Sequence, residues 1–253
     1  MRYEARTRLF LPDAGKERLV IADYESLEVA RALRLRPGNG VGAFADDSYD
    51  YYYRVEVADR RQIELRLVGR EINRANPKVT CILVQACGKA GKNADIVRQA
   101  TALGVTEISF FRADRSVGRM AADKVERLTK VAIESCRQCG RSRIPKVTMQ
   151  DEGLGPVLDR VVSDYPGMTL FALCPDSDRH LNSFPLDHFA RGSAIIVGPE
   201  GGFSCQEKPI LLTKQARFAH LGPRILRMEL ASVVALALVQ SMMSAKYGVR
   251  NAE

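Results

Sequence analysis

Apolar and polar positions alternate through the first seventy residues and then give way to a longer rhythm. Arg54-Val55-Glu56-Val57 and Ile63-Glu64-Leu65-Arg66-Leu67 repeat with period two, which puts one face of a strand in a core and the other in water. Short strands are expected around residues 7–11, 41–45, 51–58 and 62–69, and together they suggest a small β-barrel. Tyr24 to Leu35 has helical spacing at Leu27, Ala30, Leu33 and Arg34, so one helix is expected to interrupt them. The polar stretch Asn73 to Pro77 ends in proline and reads as a linker. The boundary expected from it separates a domain of residues 1–73 from one of residues 74–253.

Beyond Pro77 the pattern becomes strand, helix, strand, helix. Val79 to Ala86 is a near-continuous apolar run, as expected of a strand covered on both faces. A helix over 93–103 has Ile96, Val97, Ala100 and Leu103 on one side. Glu107 to Phe111, Met168 to Cys174 and Ala194 to Val197 are further buried strands. Such alternation predicts an α/β domain with a mostly parallel sheet. A helix over 122–139 shows Val125, Leu128 and Ala132 as an apolar stripe, with Gly140 as its C-cap and Pro145 just beyond. Leu230 to Ala245 has no charge in sixteen residues, too short for a comfortable membrane span and better read as a buried helix.

Composition changes the picture in three ways. At 253 residues with 46% apolar and 27% charged positions, the chain can bury a full core, and two domains are the natural starting point. Met1 to Phe10 holds four charges and no apolar centre, so no secretory signal is expected there, and a cytoplasmic location follows. The six cysteines then read as reduced thiols; Cys136 and Cys139 form a CxxC with no second ligand pair, which reads as two thiols on one helical turn and not as a metal site. The charge, finally, is localised. Residues 74–147 carry a net +9, against zero before them and −1 after. A concentrated basic patch suits a polyanion, foremost a nucleic acid, with a solvated basic face as the alternative. Arg112, Arg115, Arg119, Arg141 and Arg143, with Lys92 and with Arg8 on the barrel, are the expected RNA-binding residues. Cations near the end of the 122–139 helix also oppose its dipole, which would account for Arg137 and Arg141 without RNA.

Two segments carry candidate chemistry. Ile195 to Phe203, IIVGPEGGF, is a strand ending in a Gly-Pro turn, a carboxylate and paired glycines. Glycines at the carboxyl end of a parallel strand let a ligand approach the backbone, and that edge is where open α/β sheets bind ligands. Neither a P-loop nor a GxGxxG fingerprint is present. Glu200 beside the loop would repel phosphate and favour a cationic ligand such as a sulfonium. Ser204 to Glu207 follows with capping-box spacing, with Pro209 expected to disturb the first turn. In the second segment, LGPRILRMELA from Leu221 to Ala231, Gly222-Pro223 makes another turn and Arg224 and Arg227 lie three apart, near Glu229. The arginines could bind phosphate or polarise a base carbonyl, or pair with Glu200 and Glu229 as a structural ion network. His180, His188 and His220 are scattered and read as surface or core residues.

GPEGGFS followed about twenty residues later by LGPRILRMELA resembles the C-terminal signature of the SPOUT superfamily, and more closely that of the 16S rRNA (uracil-N3)-methyltransferases of the RsmE type. The likeness continues through Lys92 to Val105, Asp114 to Val117 and Lys124 to Pro145, and weakly through Arg8 to Phe10 and Leu33 to Leu35. It implies a PUA-like N-terminal β-barrel, a trefoil-knotted C-terminal α/β domain, a homodimer, and S-adenosylmethionine (SAM) held in the knotted loops. It implies cofactor contacts from Leu173, from Val197, Gly198, Pro199, Glu200, Gly201 and Gly202, and from Leu221, Gly222, Ile225, Leu226 and Leu230. The implied reaction is methylation of a base of small-subunit ribosomal RNA, with Arg224 or Arg227 stabilising the uracil anion and Glu229 orienting the arginine. Neither a metal nor a membrane enters. Leu230 stands where the family usually has threonine, and Ala102 where it commonly has glutamate. A tRNA or ribose 2′-O-methyltransferase, or a non-catalytic RNA-binding factor with a decayed pocket, is the alternative.

Overall fold

A computed structural model describes residues 8–23, 27, 28, 32, 34–116 and 123–247. The chain forms two compact units, one of residues 1–76 joined by 136–144, the other of 77–135 and 145–253.

The first unit is a curled, mainly antiparallel sheet. Its strands are β1 (Arg8–Phe10), β2 (Arg18–Ile21), β3 (Gly40–Phe44), β4 (Tyr49–Ala58) and β5 (Ile63–Ile72), in the order β1-β3-β4-β5-β2, with β1 parallel to β3. The period-two pattern is realised. Tyr51, Tyr53 and Val55 of β4 and Ile63 and Leu65 of β5 are buried, while Arg54 and Arg66 are exposed. Register shifts at Tyr52/Tyr53 and Val55/Val57 interrupt the β4–β5 ladder, and such bulges bend a sheet. The expected strand ranges differ from these by a few residues, and β2 has no counterpart among them. Of the helix expected over Tyr24 to Leu35, Leu27, Glu28 and Ala32 are helical and Leu27 is buried; most of the rest lies outside the described residues.

Three expectations about this unit change. Asn73, expected in a slack linker, is buried, and its Nδ2 donates to Asp50 (2.6 Å) and to the Gly140 carbonyl (2.7 Å). Arg8, expected to face RNA, is tied down. Its guanidinium pairs with Asp50 at 2.6 Å, donates to the carbonyls of Cys136 and Arg141 at 2.8 Å each, and lies 4.2 Å over the Phe44 ring. Arg141 is likewise removed from an RNA surface, being 2% exposed, with burial pushing its pKa down. Arg8→Ala is expected to lower the stability of this unit by about 2 kcal/mol in urea melts, the scale of lost charge-assisted hydrogen bonds. Arg8→Lys should recover little, because a single ammonium cannot replace a fork that serves a carboxylate and two carbonyls at once.

The second unit is a six-stranded sheet in which every pairing is parallel. It comprises β6 (Cys81–Ala86), β7 (Glu107–Phe111), β8 (Lys146–Gln150), β9 (Thr169–Leu173), β10 (Ser193–Val197) and β11 (Arg217–Ala219), ordered β11-β9-β10-β6-β7-β8. Every residue of β6, β7 and β10 is buried, as unbroken apolar runs require of strands sandwiched between layers. The helices are α1 (Ala90–Ala102), α2 (Asp123–Cys139), whose last four residues belong to the first unit, α3 (Leu154–Asp164), α4 (Glu207–Thr213) and α5 (Met228–Tyr247). The α2 stripe is buried at Leu128, Ala132 and Cys136, and Gly140, at φ +87°, closes the helix as a left-handed C-cap. On α5 the buried positions Met228, Ser232, Ala235, Leu236, Val239 and Met243 make one face, while Leu230 is 48% exposed. No helix among the described residues is long and apolar enough to cross a membrane. Strand order departs from chain order at one place. After β6, β7 and β8 run outward on one side, the chain returns on the other side with β9 and then lays β10 between β9 and β6.

Candidate active site

The carboxyl ends of β9, β10 and β11 open into a cleft of about 300 Å³. Leu173 ends β9, Val197 ends β10 and Ala219 ends β11, and all three line it. Gly198 to Gly202 follow β10 along one wall, while Leu221, Gly222, Ile225 and Leu226 follow β11 along the other. The two glycine-bearing turns, well separated along the chain, therefore face one space.

Local chemistry explains why the turns hold their shape. In the first, the Gly202 N–H bonds back to the Pro199 carbonyl at 2.9 Å, and Arg115 donates to the Gly201 carbonyl at 2.7 Å. The end of this turn is locked by a reciprocal capping box. Glu207 Oε2 accepts from the Ser204 N–H (2.8 Å), and Ser204 Oγ accepts from the Glu207 N–H (3.1 Å). The regular α4 helix begins only at Glu207, because Pro209 has no N–H to give to the first turn. Glu207 also accepts from the Asp114 N–H at 3.2 Å, which couples the loop after β7 to the same turn. In the second turn, Gly222 stands at φ +117°, where an L side chain is strained, and a Cβ added there would meet no atom within 4 Å. His220 supports it, its Nδ1 accepting the Gly222 N–H at 3.0 Å. His220 also lines the cleft, a role the sequence pattern does not single out; its only signal is its place one residue past a short strand.

A second, smaller cleft of about 120 Å³ lies beside the first and shares Pro199, Glu200 and Met228 with it. Its other wall comes from the loop between β6 and α1, with Cys87, Gly88, Lys89 and Lys92, and from Arg115 and Ser116. The buried Asn93 fixes that loop by accepting from the Gly88 N–H (2.9 Å) and donating to the Gly88 carbonyl (3.3 Å).

The electrostatics of the shared wall differ from expectation. The cation between the two carboxylates is Lys92 and not an arginine. Its ammonium hydrogen-bonds to Glu200 and lies 3.4 Å from Glu229 Oε2, an oxygen that is buried and makes no hydrogen bond. The Glu200 hydrogen bond raises the Lys92 pKa against desolvation, and the same bond lowers that of Glu200. Lys89 and Arg227 add positive charge near Glu200 and help lower its pKa. Arg224 lines the larger cleft, whereas Arg227 is exposed and lines neither cleft. Glu229 is thus ion-paired with Lys92 rather than with Arg224 or Arg227.

All but one of the expected cofactor contacts line the larger cleft. The exception is Leu230, which is turned outward on α5, and the neighbouring Met228 and Ala231 line the cleft instead. Of the expected RNA contacts, Arg112 is exposed and pairs loosely with Asp151 at 3.3 Å, Arg143 is exposed and donates to Ser48 Oγ at 2.7 Å, and Arg115 braces the Gly201 turn. Arg119 lies outside the described residues.

The chain is similar in sequence and fold to known proteins. The family model of the RNA methyltransferase domain matches residues 75–240. Ribosomal RNA small subunit methyltransferase E of Mycobacterium bovis is 30% identical over 243 residues, spanning 90% of this chain and 88% of that protein. The protein of the same name from Buchnera aphidicola is 25% identical, spanning 88% and 87%. Among solved structures, ribosomal RNA small subunit methyltransferase E of Neisseria gonorrhoeae bound to SAM superposes with a TM-score of 0.85 at 23% identity, covering 93% of this chain and 97% of that one. A Legionella pneumophila protein described as a methyltransferase, solved with its cofactor SAM, gives 0.82 at 26% identity over the same shares.

Proposed function

The chain belongs to the RNA methyltransferase family, and on that premise we propose that it transfers a methyl group from SAM to a base of 16S ribosomal RNA, at N3 of a uridine. The observation that carries this reading is the convergence of the two glycine-bearing turns on one cleft at the carboxyl edge of the sheet.

The residues present fit SAM. Leu173, Val197, Leu226 and Ala231 offer apolar walls, and open space stands beside the glycine backbone at Gly222. A positively charged sulfur is matched by the carboxylates of Asp176 and Glu200 in the lining. The cofactor, when bound, supplies an electrophilic methyl group. The protein supplies alignment of the two reactants and a group to take the acceptor's proton. A base within a helix cannot reach such a cleft, so the target is looped out or flipped.

In this reading the curled first unit is a PUA-like barrel that binds RNA, and the position of β10 between β9 and β6, out of chain order, supports a trefoil-knotted path. The outward face of α5 around Leu230 supports a homodimer. The enzyme acts in the cytoplasm, on ribosomal RNA. Arg224 and Arg227, both exposed, are assigned to RNA phosphates.

The test is incubation of the purified protein with SAM and 16S ribosomal RNA, free or in the small subunit, followed by nuclease digestion and mass spectrometry. The expected product is 3-methyluridine; methylated ribose, or no methylation with no SAM binding, would refute the reading. RNA affinity is expected to fall steeply with salt, because phosphate neutralisation releases counterions. Arg224→Ala and Arg227→Ala should each flatten the log–log slope by about one in filter-binding titrations. An unchanged slope would remove these arginines from the RNA interface.

A further inference from the structure

The smaller cleft lies outside the space between the two glycine-bearing turns, yet it adjoins that space across Pro199, Glu200 and Met228. A group seated in it would face a group seated in the larger cleft across that shared wall, the juxtaposition a displacement reaction needs. Its walls combine charged groups with apolar sulfur. Lys89, Lys92 and Arg115 bring cations and Ser116 a hydroxyl, but Glu200 brings an anion, and Cys87 and Met228 bring soft apolar sulfur suited to the face of a flat ring. Lys92 is the pivot, because it lines this cleft while its ammonium is held by Glu200 and Glu229.

We propose that the smaller cleft takes the flipped uracil, and that Lys92 and Glu200 change partners when it enters. The Lys92 ammonium turns from Glu200 to the O4 carbonyl oxygen of the base, and Glu229 stays beside it as counter-ion. The freed Glu200 carboxylate accepts the proton from N3: the N3–H bond breaks, an O–H bond forms on Glu200, and the electron pair left on N3 takes the methyl group. Charge spreading from N3 onto the carbonyl oxygen meets the ammonium there. The arrangement also selects the base. Uracil presents a carbonyl acceptor to Lys92 where cytosine presents an amino group, and donor facing donor is a repulsive element against the wrong pyrimidine.

This inference rests on the proposed methylation of RNA, and the experiment separates the two. Wild type, Lys92→Met, Lys92→Arg and Glu200→Gln are compared in single-turnover methylation of 16S ribosomal RNA across pH, with SAM affinity by calorimetry and thermal melts on the same samples. Lys92→Met should lower the single-turnover rate by about a hundredfold or more while SAM and RNA affinities stay within about threefold of wild type, less than about 1 kcal/mol. Lys92→Arg should restore part of the rate. Glu200→Gln should lower the single-turnover rate by about a hundredfold or more, and its remaining rate should show a flattened acid limb. A second readout needs no turnover. The wild-type protein with S-adenosylhomocysteine and 4-thiouridine-substituted 16S transcript is irradiated, and crosslinks are expected in peptides containing 87–92 or 115–116. A near-normal rate in Lys92→Met, a loss of rate explained wholly by weaker SAM binding, or crosslinks confined to other peptides would each overturn the assignment. Wild-type protein that neither binds SAM nor methylates RNA would instead defeat the broader reading.

Discussion

Gly222→Val is expected to weaken SAM binding by about a hundredfold, close to ~3 kcal/mol, with only a few degrees lost in Tm. The residue sits at φ +117° in the turn after β11, its N–H is held by His220, and no protein atom stands within 4 Å of where a Cβ would be. A branched side chain there acts in two ways. Backbone strain at such a φ costs about 1–3 kcal/mol, felt with or without ligand as a modest loss of stability. The side chain also occupies cleft space that the cofactor needs and holds it off the backbone, felt only on binding. Gly38→Val is the control. Gly38, at φ +89° with an equally open Cβ position, belongs to the first unit, whereas the cleft belongs to the second. It carries similar strain and should leave SAM affinity unchanged. Calorimetry on both variants decides the matter, and wild-type affinity in Gly222→Val would mean that SAM does not lie against this turn.

Much of the second unit is legible in the sequence because its signals are local. Ser193–Val197 is apolar at almost every position and stops at Gly-Pro, and the capping box at Ser204 and Glu207 needs only a four-residue window. Residues whose meaning depends on a distant partner mislead. α1 starts at Ala90 and not Asn93 because the Asn93 side chain is spent on the Gly88 backbone, leaving no capping signal at the true start. Arg8, Arg141 and Lys92 read alike as a basic RNA surface, since charge along a sequence does not reveal burial. In the structure the first braces carbonyls, the second is enclosed and the third sits between two carboxylates. The smaller cleft is invisible in the sequence for the same reason. Its walls come from residues 87–89, 92, 115–116, 199–200 and 228, and no sequence window contains them together.

The largest stability effect is expected far from that chemistry, toward the β8 side of the same sheet. Glu107 opens β7 with its side chain wholly buried, accepting hydrogen bonds from Ser109 Oγ (2.7 Å) and Tyr165 Oη (2.9 Å) and pairing with Arg160 at 2.7 Å. Burial raises its pKa, but the hydrogen bonds from Ser109, Arg160 and Tyr165 and the charge of Arg160 outweigh burial and leave it below the ordinary value of 4.5. Glu107→Ala takes the acceptor from Tyr165 Oη and leaves Arg160 with only Ser109 Oγ (2.6 Å) and Asp164 (3.5 Å), and breaking one side of a buried pair costs about 3–5 kcal/mol. For a chain of this length that is a fall in Tm on the order of 10 °C. Glu107→Leu combined with Arg160→Met should recover much of the loss, because apolar groups of similar volume incur no desolvation penalty. The pH dependence has a definite sign. A carboxyl group whose folded pKa lies below its unfolded value contributes stability that is complete above about pH 4.5 and disappears as pH falls through the folded pKa. Wild type should therefore lose stability below about pH 4.5 more steeply than Glu107→Gln, whose amide does not titrate. Parallel acid limbs in thermal melts of the two proteins would show that this carboxylate is not held ionised by its neighbours.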